Sequence, residues 1–137
     1  MNTYNIKDES FINSPSYQQF LRDNPSRGYL SIRAYAASQA IPISGLRIVI
    51  STIIDNNRVI FFEGSTNISG VIEGISLPAP LLAQSDLTVP NKLVYQVEAT
   101  YGPNSLSKVY DINMYENISV IQNISIAPNM NLETGGL

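Results

Sequence analysis

The chain has 137 residues with 11 acidic and 8 basic side chains, a net charge of −3, which suits one domain with its own core rather than two. Its cations, Lys7, Arg22, Arg27, Arg33, Arg47, Arg58, Lys92 and Lys108, stand singly along the chain, so the clustered charge that neutralises phosphates is missing and nucleic acid is not expected as a partner. Cysteine and histidine are both absent, which excludes disulfide staples, thiolate chemistry and imidazole as a base or metal ligand.

Residues 1–27 read as an N-terminal arm containing a short helix. Ser14 is placed to cap it, Pro15 to fill its first turn, and Asn24-Pro25 to end it. A loose arm is expected, with docking on a partner as the alternative. The opening residues lack the charged-then-apolar pattern of a secretion signal. No apolar run is long enough to span a bilayer, so no membrane span is expected and the chain is expected to stay in the cytoplasm unless carried elsewhere.

From Gly28 the period becomes two. Leu30, Ile32, Ala34 and Ala36 share one face, while Tyr29, Ser31, Arg33 and Tyr35 share the other. Ile41 to Gly45 is a turn, after which Leu46, Ile48 and Ile50 continue the inward face opposite Arg47, Val49 and Ser51. Asp55-Asn56-Asn57 is a second turn. The strand Arg58 to Gly64 is apolar on both faces through Val59, Ile60, Phe61 and Phe62, so it is either central or covered by another element.

Gly70 and Gly74 supply bends before Ile75 and Leu77, which face one way. Pro78 and Pro80 are expected to stop the ladder and carry the chain across to a second sheet. The long connection Leu81–Asn91 is expected to be pinned by Leu81, Leu82, Leu87 and Val89. Tyr95, Val97 and Ala99 then alternate with Gln96, Glu98 and Thr100; Gly102 to Ser105 turns the chain; Lys108–Tyr115 and Ile118–Ile126 are the last strands. The fold class expected is all-β: an antiparallel Greek-key β-sandwich of about seven strands over residues 28–128, with a C-terminal tail over 129–137.

Several stretches resemble the carboxypeptidase-regulatory-like, or prealbumin/transthyretin-like, domains. Gly28 to Arg33 followed by Ile41 to Ile50 is similar to their opening strand, turn and second strand, and Thr66 to Gly70 is similar to their following turn. Ile75-Ser-Leu-Pro-Ala-Pro80, Tyr95 to Ala99 and Ile121 to Pro128 resemble a clostridial subgroup that includes the N-terminal pro-region of spore-cortex-lytic enzymes. The chain departs from the pattern at Leu46, where a small residue is usual, and at Tyr101-Gly102, where the order is reversed. The resemblance implies a spore or cell-envelope setting. Hydroxyisourate hydrolases of this fold work through histidines, and intradiol dioxygenases hold iron with tyrosines and histidines; with no histidine, neither mechanism can be assembled, and the chain is expected not to be an enzyme.

Other chemistry is thinly supported. The carboxylates Glu63, Glu73, Asp86, Glu98, Asp111, Glu116 and Glu133 fall on different strands and turns, so no acid/base pair is announced. Asp55-Asn56-Asn57 has one acid where a calcium loop needs several, and no Gly-x-Ser-x-Gly occurs. Neither cofactor nor metal is expected. Three Asn-Ile-Ser triplets, at Asn67, Asn117 and Asn123, match the glycosylation pattern and are expected by chance in an Asn- and Ser-rich chain. Tyr29, Tyr35 and Tyr101 can face outward, where tyrosines stack on sugars or meet proteins, or else cover the sandwich rim. With Leu81, Leu82 and Leu87 they form the candidate interaction surface. The expected function is a non-catalytic binding or scaffolding module with a protein partner or a cell-wall glycan. A self-assembling subunit that donates its arm to a neighbouring copy is the alternative, and a carboxylate-only glycan hydrolase is a remote one.

Overall fold

Alternation decides the architecture. The computed structural model describes residues 1–36, 40–82, 93–102 and 106–126, and in it the chain runs β1 (Thr3–Asn5), α1 (Glu9–Ile12), α2 (Pro15–Asp23), β2 (Ser26–Ala36), β3 (Ile41–Pro42), β4 (Arg47–Ile54), β5 (Asn57–Ser65), β6 (Val71–Ala79), β7 (Val94–Tyr101), β8 (Leu106–Asn113) and β9 (Ser119–Ile126). One sheet has the order β1-β5-β4-β7-β8; in the other, β2 is central and pairs with β3, β6 and β9. The inward rows predicted from the sequence are the core: Leu30, Ile32, Ile48, Ile50 and Val97 are fully buried, with Ala34, Ala36, Leu46 and Leu77 close behind. Each large aliphatic side chain buried this way contributes roughly 1.5–3 kcal/mol.

The all-β sandwich is as expected, with differences in detail. Nine strands are present among the described residues rather than about seven, because β1 and the two-residue β3 are too short to show a period. The pairing is mixed rather than wholly antiparallel: β1 runs parallel to β5 and β9 parallel to β2, in register from Tyr29↔Ser119 to Ala36↔Ile126. Pro78 does not stop its ladder. β6 stays in register with β2 through Arg27↔Pro78 and Ser26↔Ala79, while the Pro78 carbonyl accepts the Tyr95 hydroxyl at 2.7 Å. A proline is tolerated where its polar groups are not needed by the neighbouring strand.

The lead segment is packed, not loose. Ser14 accepts a bond from the Tyr17 amide at 3.3 Å, Pro15 sits in the first turn, and the Asn24 amide closes α2 on the Phe20 carbonyl. This orients Phe11, Tyr17 and Phe20 inward, each buried. Their rings form a continuous row. Tyr4 stacks on Phe11 at 4.9 Å, Phe11 meets Tyr17 at 5.5 Å, Phe20 meets Phe61 at 5.7 Å, and Phe61 stands edge-on to Tyr95 at 5.5 Å. Offset and edge-on contacts of this kind add to the area they bury. The doubly apolar β5 is thereby accounted for: it lies between β1 and β4, and its Phe61 is covered by Tyr17 and Phe20 of α2.

Candidate functional site

The outward row of β2 carries Arg27, Tyr29, Ser31, Arg33 and Tyr35. Tyr29 and Tyr35 lie about 20 Å apart along the strand, six residues at the rise of an extended chain. Tyr29 is 38 % exposed and Tyr35 half-buried. Arg27 is held by Ser76, its Nε on the hydroxyl at 2.8 Å and its Nη2 on the carbonyl at 3.0 Å. Arg33 is exposed and has no side-chain hydrogen bond or ion pair among the described residues. Parallel pairing sets Asn123 of β9 beside it.

A cleft of about 330 Å³ opens at this end of the face, lined by Arg33, Tyr35, Pro42, Ser69, Gly70 and Asn123 among others. Its rim is built locally. Asn67 Oδ1 accepts from the amides of Ser69 at 2.9 Å and Val71 at 3.1 Å, the turn that an Asn side chain makes with its own following backbone. Gly70 has φ +74°, and a Cβ there would stand 2.4 Å from the Ala34 carbonyl oxygen. Only glycine lets this turn press against β2, where the Gly70 carbonyl accepts the Ala34 amide at 2.8 Å. The arrangement offers a guanidinium fork, a carboxamide and two phenol rings. Such groups hydrogen-bond hydroxyls or carboxylates and present flat apolar surface beside them.

The other candidates lie elsewhere. Tyr101, on β7 in the opposite sheet, is half-buried beside Leu46, Lys108 and Ile124. Leu81 and Leu82 follow β6, and the Leu82 amide donates to the Glu116 carboxylate at 3.1 Å. Leu87 lies outside the described residues, as do most of the 81–91 connection and the 129–137 tail. The structure therefore brings Tyr29 and Tyr35 together on one face and adds Arg33 and Asn123. Arg33 was visible in the outward row; Asn123 was not, because it arrives through a parallel pairing with no local signature.

Burial raises the phenols of Tyr95, Tyr17 and Tyr110. Tyr95 is pushed well above the ordinary tyrosine range, with Arg27 opposing weakly, and Tyr110 is raised further by neighbouring Tyr35. Tyr95 is thus a neutral donor to Pro78, a structural group. Among the described residues no cluster of three or more His, Cys, Asp or Glu side chains could hold a metal ion, and no helix is long and apolar enough to cross a membrane.

The two packed sheets form a β-sandwich of the transthyretin-like fold. No family model matches the chain, and no curated protein matches it. Among solved structures it is similar to the 5-hydroxyisourate hydrolase of Klebsiella pneumoniae, with a TM-score of 0.51 and 18 % identity over 74 % of this chain and 90 % of that one. At that identity the likeness establishes the fold. It also corrects the expectation that the chain is not an enzyme: a hydrolase is built on this sandwich, and a lack of histidine excludes imidazole chemistry, not catalysis.

Proposed function

We propose that the chain is a β-sandwich module that binds a cell-wall glycan along the outward row of β2. The observation that carries this reading is Arg33, exposed and without a side-chain partner among the described residues, set between Tyr29 and Tyr35 in one outward row. Sugar rings would lie on the phenols, and their hydroxyl or carboxylate groups would meet Arg33 and Asn123. The separation of the tyrosines calls for an extended chain, not a single sugar. A spore or cell-envelope setting rests on the sequence resemblance alone. Self-assembly by donation of residues 1–27 has less support, because those residues occupy the edge and inner face of their own sheet.

Isothermal titration with soluble peptidoglycan fragments tests the reading. The wild type is expected to bind, and Arg33→Ala and Tyr35→Ala to weaken binding tenfold or more, each an effect of about 1.4 kcal/mol or above. Absence of binding, or equal binding by both variants, contradicts it. Because a hydrolase shares the fold, the same samples are assayed for new reducing ends and for loss of 5-hydroxyisourate. Turnover that falls in the Arg33 variant would make the face an active site.

A further inference from the structure

A second cleft lies on the outer face of the other sheet. The β4–β7 ladder ends at Ser51↔Gln96, although β4 continues to Ile54 and β7 begins at Val94. The strands part there, and the Thr52 hydroxyl reaches across to the Val94 carbonyl at 2.6 Å. The notch so formed encloses about 360 Å³, within the size range of small-molecule sites.

Its chemistry is divided. Arg58 reaches over β4 from β5, its Nε donating to Ser51 Oγ at 3.2 Å and its Nη2 to Glu98 at 3.4 Å. Ser51 is only 2 % exposed, so the guanidinium is seated on a buried hydroxyl, and three of its five N–H donors remain unengaged. Gln96 and Asp111 are cross-strand neighbours, and neither side chain has a partner among the described residues. Ile53, Leu93 and Val94 supply apolar lining. A simple anion in this notch would meet Asp111 and Glu98 as well as Arg58. A simple cation would meet Arg58. A molecule carrying both charges and a hydrocarbon group satisfies every wall.

We propose that this notch binds a free α-amino acid with an apolar side chain. Its carboxylate takes the open edge of Arg58, its ammonium group takes Asp111 with the Gln96 carboxamide, and its hydrocarbon lies on Ile53, Leu93 and Val94. A peptide N-terminus would offer the ammonium without the carboxylate, and a peptide C-terminus the reverse, so blocked ligands separate these sources.

The test is an amide-resolved NMR titration of the full chain with L-leucine, glycine, N-acetyl-leucine and leucinamide. Leucine is expected to give saturable shifts at Ser51, Val94 and Gln96. Blocking either charge should weaken binding about tenfold or more, since each removes a charge-assisted hydrogen bond, and glycine should bind less tightly than leucine. Arg58→Gln should abolish the shifts. Asp111→Asn should bind leucine and N-acetyl-leucine alike, a loss of discrimination that misfolding does not produce. No shift with leucine at the notch, or shifts with both blocked ligands as large and as tight as those with leucine, overturns the proposal.

Discussion

The two outer faces of this sandwich use the same pleat differently. On β2 the parallel ladder with β9 runs unbroken from Tyr29 to Ala36, while the ladder with β6 shifts register between Leu30 and Ile32, and Arg27, Tyr29, Arg33 and Tyr35 project as one outward row. On the opposite sheet the β4–β7 ladder stops short, and polar residues from four strands converge on a notch. A continuous ladder suits a long ligand and a broken one suits a compact ligand. The lesson is that alternation says which residues face out, while pairing says whether they form a platform or a pocket.

The most damaging way to break this comparison is to remove what supports both faces. Phe20→Ala should cost about 3–5 kcal/mol, because Phe20 is buried against Phe61, which in turn meets Tyr95. Denaturant unfolding measures the loss, and both faces should fail together. Gly70→Ala should separate them. A side chain at φ +74° and 2.4 Å from a carbonyl oxygen should cost roughly 1–3 kcal/mol, with amide shifts around Arg33 and Tyr35 and none at Ser51 or Gln96. Tyr95→Phe, which leaves the Pro78 carbonyl without its donor, should cost about 1–2 kcal/mol.

The pH dependence sharpens the same point. Tyr95, Tyr17 and Tyr110 hold their protons more tightly folded than unfolded. Their contribution is therefore fully present below the unfolded tyrosine value, about pH 10, and is lost as pH rises above it. Thermal unfolding between pH 8 and 11.5 should show a plateau and then a decline, shallower in Tyr95→Phe. The smallest effect belongs to Glu63→Gln. The Arg47–Glu63 pair is 2.8 Å long with side chains 55 % and 39 % exposed, and its loss should change stability by less than about 1 kcal/mol and leave both faces unchanged.

Much of the fold was legible because it is written locally. The inward rows at Leu30–Ala36 and Leu46–Ile50, the Ser14 cap and the doubly apolar β5 each follow from neighbouring residues. The packing of residues 1–27 was missed although Tyr17, Phe20 and Leu21 already had helical spacing; what they would cover was set by Phe61, far along the chain. The parallel partners of β2 and β5 depend on long-range register. The same limit hid the notch: Ser51, Arg58, Gln96 and Asp111 come from four strands, and each alone reads as an ordinary outward polar residue.

The most direct test of the account is an amide-resolved titration of the wild-type chain with a soluble peptidoglycan oligosaccharide. Saturable shifts along Tyr29–Tyr35 and at Asn123, with Ser51 and Gln96 unmoved, are the predicted result. Shifts confined to the notch, or none on either face, would contradict it.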